Sequence, residues 1–231
     1  MMEREIETKL GTATRAKMLL GALKSWNKPK IFGVGRNKTG TSSLTKAMRD
    51  LGYVVGEQRP AEFLLRDWAR RDFRRLRRYC RTAQFFQDIP FSLPYTFQAM
   101  DASFPGSKFI LTIRDPQAWH RSMIVFHQKD SVHGEKARSL EALKEAEYCY
   151  KGFAYETKAF VYDLPGDDPY DKETLISHYH FHNRCVRAYF RNRPEDLLVL
   201  DVSEKEAYRK LCEFLNCEFD GGEFPWENAS S

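Results

Sequence analysis

Apolar residues along this chain fall into two kinds of block, and their alternation predicts its elements. Residues 3–24 lack proline and repeat apolar positions near helical spacing, which predicts a leading helix. Lys30-Ile31-Phe32-Gly33-Val34 is a short apolar run that opens into a turn rich in Gly, Asn and Thr, after which 42–50 reads as a helix. The same order then repeats. Tyr53-Val54-Val55, Gln84-Phe85-Phe86 and Lys108-Phe109-Ile110-Leu111-Thr112-Ile113 read as strands, with helices near 61–80, near 93–103 and from Pro116. A largely helical stretch over 115–190, broken at Asp163-Leu164-Pro165-Gly166-Asp167-Asp168-Pro169, precedes a last strand at Leu197-Leu198-Val199-Leu200 and a closing helix over 204–215.

Strand and helix alternating in this way predict an α/β fold of three layers, with a central five-stranded parallel sheet and a helical insertion between the fourth and fifth strands. The expected organisation is one domain: an N-terminal helical arm over 1–29, a core over 30–123, the insertion over 124–190, and the last strand, helix and tail over 191–231.

Composition agrees with a single domain, since 231 residues that are 42% hydrophobic and 14% aromatic can bury a sizeable core. A formal charge of +5 on 37 basic and 32 acidic side chains suits an anionic ligand without demanding nucleic acid. No window approaches the roughly 20 apolar residues of a membrane helix, and the first residues lack the apolar core of a secretory signal, so a cytoplasmic protein is expected. The five cysteines are odd in number and scattered, which fits reduced thiols better than a disulfide framework.

In a parallel sheet ligands collect at the carboxyl ends of the strands, which puts the turn after the first strand in view. Gly40 lets a ligand approach the backbone, Thr39, Thr41, Ser42 and Ser43 offer hydroxyls beside the N–H groups of a helix start, and Lys38 adds a point charge next to Asn37. An N-capped helix after a glycine turn explains the same residues without a ligand. Gly35 and Gly40 have the spacing of a Walker A loop, but Thr41 stands where its lysine belongs. The dinucleotide fingerprint fails too, because Lys38 occupies the place of its third glycine.

Lys38-Thr39-Gly40-Thr41-Ser42 instead resembles the 5'-phosphosulfate loop of the sulfotransferase family, whose usual form is Lys-x-Gly-Thr-[Ser/Thr]. A second segment strengthens the resemblance: Arg114 ends the fourth predicted strand and Ser122 follows eight residues later on the next helix, as in that family's 3'-phosphate motif. The plain alternative is a strand-end salt bridge of Arg114 with Asp115, leaving Ser122 merely exposed. The resemblance covers residues 30–57 and 83–123 well and 195–228 more weakly. It implies a P-loop NTPase-like fold and a donor, 3'-phosphoadenosine 5'-phosphosulfate (PAPS), bound by Asn37, Lys38, Thr39, Gly40, Thr41, Ser42, Ser43, Arg114 and Ser122, with no metal. The implied reaction is sulfuryl transfer to a hydroxyl or amine of a small-molecule or carbohydrate acceptor. Two departures stand out: Ser43 occupies the place where many relatives stack a tryptophan on adenine, and no Arg-Lys-Gly segment occurs near the C-terminus.

Sulfuryl transfer needs in-line positioning and stabilisation of a leaving phosphate oxygen, a task for Lys38. The acceptor needs a base. Glu57, after the second predicted strand, resembles the glutamate of some family members, and Asp88 at the end of the third opens on the same edge; His120, His127 and His133 are lesser choices. Glu57 also reads as a solvated turn residue and Asp88 as a helix cap.

Other features point elsewhere. The eight arginines between Arg66 and Arg81 read as the solvated face of an amphipathic helix whose apolar side holds Leu65, Trp68, Phe73, Leu76 and Tyr79. His178, His180 and His182 lack the further ligands of a metal site. Tyr148, Tyr150, Phe153, Tyr155, Phe160 and Tyr162 suit an acceptor pocket or a core equally well. Competing readings are a nucleotide or small-molecule kinase of the P-loop type and a non-catalytic binding protein on the same fold.

Overall fold

The described residues of the structure, a computed structural model, are 11–129 and 139–226. Their elements run α1 (Thr12–Lys24), β1 (Ile31–Gly33), α2 (Thr41–Asp50), α3 (Gln58–Glu62), α4 (Leu65–Ala69), α5 (Arg74–Tyr79), β2 (Phe85–Phe86) and α6 (Thr96–Ser103). There follow β3 (Lys108–Thr112), α7 (Pro116–Lys129), α8 (Leu140–Glu145), α9 (Phe153–Ala159), α10 (Lys172–Tyr189), β4 (Leu197–Leu200) and α11 (Ala207–Leu215). Two compact units result, one of 1–113 with 189–231 and the other of 114–188.

The first unit holds a parallel sheet ordered β2-β1-β3-β4. It has four strands where five were expected. Tyr53-Val54-Val55 contributes only a bridge, Val55 with Phe85. The reason is local: the Val54 carbonyl accepts from Gln84 and Phe85 and the Gly56 N–H bonds the Phe85 carbonyl, but the chain then enters α3 at Gln58 and leaves no residues to extend the ladder.

Period-two alternation sorts the strand residues onto the two faces. Ile31, Phe85, Ile110 and Leu200 pack with Leu44, Ala47 and Met48 of α2 and with Leu211 and Cys212 of α11. On the opposite face, in-register pairing sets Phe86, Phe32 and Phe109 in a row, with centroids 5.9 and 5.5 Å apart. Tyr79, Phe91, Phe104 and Phe190 extend that aromatic layer. Both faces are therefore dry, as a parallel sheet requires.

The single helix expected near 61–80 is broken into α3, α4 and α5. Arg71 takes a left-handed backbone (φ 59°) after α4, with its guanidinium over the rings of Trp68 and Tyr95, and Asp72 accepts the Arg74 N–H as α5 begins. The two-sided character survives the break. Leu65, Trp68, Leu76 and Tyr79 are buried, while Arg70, Arg74, Arg77 and Arg81 face outward.

In the second unit Asp115 accepts the Ala118 N–H and starts α7 at Pro116. Trp119 and Met123 of α7 pack with Leu175 and Tyr179 of α10, and the rings of Trp119 and Tyr179 stack at 4.6 Å. None of the five cysteines of the chain forms a disulfide.

Candidate functional site

The order β2-β1-β3-β4 makes the carboxyl ends of β1 and β3 a topological switch point, where α/β sheets hold ligands. The turn from Val34 to Gly40 lies there. Gly35 sits so close to Thr112 at the end of β3 that any side chain would strike it. Lys38 (φ 71°) and Gly40 (φ 94°) both adopt left-handed backbone, and a Cβ on Gly40 would meet Val202. Two such residues with one between them curl the loop. The first intrahelical bond of α2 is Leu44 N–H to Gly40 C=O, so the N–H groups of Thr41 and Ser42 precede the helical ladder, and Gly40 brings no side chain to cap them.

Side chains fix this loop from beneath. Thr39 Oγ1 donates to the Arg36 carbonyl at 2.6 Å and lies 2.6 Å from Thr112 Oγ1. A hydroxyl has one proton, so Thr112 is the donor of that second bond. The Thr39 hydroxyl is thereby committed to the loop, and what Thr39 can offer a ligand is its N–H. Buried Arg36 donates from Nη1 to the Ser92 carbonyl, and Ser92 Oγ donates to Asn37 Oδ1 at 2.9 Å. Ser92 and Thr112 were not among the residues expected from sequence. A threonine ending an otherwise apolar strand was the only signal, and it was faint.

Asp88 follows β2 by two residues and joins this network. Its carboxylate accepts the Ile89 N–H at 2.8 Å, is hydrogen-bonded by the Asn37 side chain and feels the charge of Lys38. Burial dominates and, with the nearby Glu62 carboxylate, pushes its pKa up to about 6 against those stabilising contacts. Part of the residue remains open to solvent. Glu62, itself buried and 3.5 Å from Arg59, is a second carboxylate here that sequence reasoning passed over.

Glu57 is placed differently. Its carbonyl accepts the Tyr79 hydroxyl at 2.6 Å, and its carboxylate, about one-third exposed (36%), lies 3.8 Å from Lys17 of α1. The structure thus brings Asp88 to Asn37 and Lys38.

In the second unit, the exposed Arg114 is held by its backbone: the hydroxyl of buried Tyr179 bonds both its N–H and its C=O. Ser122 is half-buried on α7. His120 is buried with Nε2 2.8 Å from the Tyr170 carbonyl, so that nitrogen is occupied; His127 lies on α7, and His133 falls outside the described residues.

The remaining candidates separate by burial. Phe153 is core, packed by Tyr148 and Tyr150, while Tyr148 and Phe160 are exposed and Tyr162 joins the Trp119 cluster. His182 is buried, His178 meets the Tyr162 ring, and His180 is exposed. Among the described residues no group of three or more His, Cys, Asp or Glu is arranged to hold a metal ion, and no helix is long and apolar enough to cross a membrane.

A parallel α/β sheet with a hydroxyl-rich, glycine-turned loop at its switch point is the setting in which α/β proteins hold anions. The family model for the sulfotransferase domain matches residues 30–231, and the chain belongs to the sulfotransferase family. No curated protein matches the chain.

Proposed function

We propose that the protein is a PAPS-dependent sulfotransferase on a P-loop-like fold, moving the sulfuryl group to a hydroxyl or amine of a small-molecule or carbohydrate acceptor in a reducing, cytoplasmic setting. The observation that carries this reading is Asp88 lying against the Asn37 side chain and the Lys38 charge, beside a loop whose Thr41 and Ser42 N–H groups precede the helical ladder.

In this reading the N–H groups of Thr39 to Ser43 and the hydroxyls of Thr41, Ser42 and Ser43 hold the 5'-phosphosulfate. Arg114 and Ser122 take the 3'-phosphate, whose separate grip distinguishes this donor from ATP. Asp88 is the favoured base. With a pKa of about 6 it is mostly ionised at neutral pH yet basic enough to take the acceptor proton. The acceptor oxygen or nitrogen forms a bond to sulfur while the bond from sulfur to the bridging phosphate oxygen breaks, and Lys38 donates a hydrogen bond to that oxygen as its charge develops. Glu57 is the less suitable base, because Lys17 already faces its carboxylate.

Calorimetry with adenosine 3',5'-bisphosphate and with ATP tests the donor. Tighter binding of the bisphosphate, weakened by Arg114→Ala, is the expected result. Tighter ATP binding that survives Arg114→Ala would overturn the assignment, and magnesium-dependent phosphoryl transfer would put a kinase in its place.

A further inference from the structure

Helix α1 turns its most apolar side to solvent. Leu19, Leu20 and Leu23 are 70, 58 and 75% exposed, and Trp26, just past the helix end, is 76% exposed. At about 100° per residue, Ala16, Leu19, Leu20 and Leu23 share one arc roughly 100° wide. The opposite side is the one that packs: Gly21 abuts the Thr82 carbonyl too closely for any side chain, Val54 lies beside it, and Ser25 is buried. The leucine arc is therefore not the inner side of a core helix.

Charge surrounds this arc. On the helical wheel Lys17 and Lys24 flank it on one side and Arg15 on the other, and Lys28 follows Trp26. No acidic residue occurs over 11–30. An apolar stripe bordered by cations, with a tryptophan at one end, has the chemistry of a helix that lies in the interface of an anionic bilayer.

We infer that α1 is a docking surface for anionic lipid membranes: Leu19, Leu20, Leu23 and Trp26 enter the headgroup boundary and the flanking cations meet lipid phosphates and carboxylates. A second copy of this chain is the poorer occupant, since pairing two such helices sets Arg15, Lys17 and Lys24 against their own like charges. The helix lies on the bilayer and does not span it. This surface is separate from the residues assigned to sulfuryl transfer, so the two readings stand or fall apart.

Flotation of the full chain with vesicles of phosphatidylcholine, alone or mixed with phosphatidylserine, tests it. The protein is expected to float with the mixed vesicles at least about tenfold better, to be released by salt, and to show a blue-shifted tryptophan emission that Trp26→Phe removes. Leu19→Glu with Leu23→Glu is expected to abolish flotation. Arg15→Ala and Lys24→Ala each lower it about fivefold while affinity for adenosine 3',5'-bisphosphate stays unchanged. Flotation that is absent, or equal on both vesicles and indifferent to these variants, overturns the proposal. So does a dimer in sedimentation that Leu19→Glu dissociates while the wild-type chain ignores vesicles.

Discussion

The hydroxyl of Tyr179 accepts the Arg114 N–H and donates to the Arg114 carbonyl, each at 2.9 Å. Because Tyr179 is buried and stacked on Trp119, it holds the Arg114 backbone while the residue as a whole stays exposed. Tyr179→Phe keeps the stack and removes the clamp. We expect a three- to tenfold rise in the dissociation constant for adenosine 3',5'-bisphosphate, since only part of the roughly 1 kcal/mol per lost hydrogen bond is felt by the ligand, with turnover at saturating donor little changed. A fall in turnover without loss of affinity would count against a positioning role.

Lys38 holds a left-handed backbone (φ 71°) that glycine adopts without cost. Lys38→Gly should therefore fold at least as stably as the wild type, by up to about 1 kcal/mol in denaturant melts, while turnover falls about 100-fold or more. A variant that is equally active would remove Lys38 from the chemistry.

Asp88 makes two predictions of opposite sign. Its folded pKa is raised from the ordinary 3.8 to about 6, so the native state binds the proton more tightly than the unfolded chain. The stability this confers is complete below the ordinary value and is lost as pH rises through about 6. Asp88→Asn, which keeps a hydrogen-bond acceptor and tolerates the left-handed backbone (φ 63°), should then be about 1–2 kcal/mol more stable than wild type at neutral pH, with the gain vanishing in acid. Turnover should drop sharply, and the wild-type rate should rise with pH along a limb centred near 6. Unfolding curves and a pH–rate profile check the two independently.

Gly40 combines two constraints, its left-handed backbone (φ 94°) and the proximity of Val202. Gly40→Ala is expected to cost about 2–3 kcal/mol and to weaken binding of the bisphosphate. Adding Val202→Ala should relieve the steric part and leave roughly 1 kcal/mol of backbone strain. If the double variant is no better than the single one, the contact with Val202 is not what demands glycine.

Much of the fold is legible in the chain because strands and helices write their period into neighbouring residues. Ile31-Phe32, Phe85-Phe86 and Phe109-Ile110 announce two-faced strands, and Asp115-Pro116 announces a helix start. The arginine-rich segment shows the limit of that signal. Its apolar and charged sides are separable by eye, but the break at Arg71 rests on stacking against Tyr95, far along the chain. The bridge at Val55 is likewise decided by a partner on a distant segment, Phe85.

The candidate site divides along the same line. The composition of the turn from Arg36 to Ser43, its helix start and the positions of Arg114 and Ser122 are properties of short segments, and the sequence alone determined them along with membership of the sulfotransferase family. Tertiary structure alone decided that Thr39 spends its hydroxyl on Arg36 and Thr112, that Asp88 sits desolvated beside Asn37 and Lys38 while Glu57 faces Lys17, and that Tyr179 holds Arg114. The physical reason is that desolvation and hydrogen-bond satisfaction depend on what surrounds a group in space. Apart from the short reach from Thr39 to Arg36, those neighbours are brought together by segments tens of residues apart.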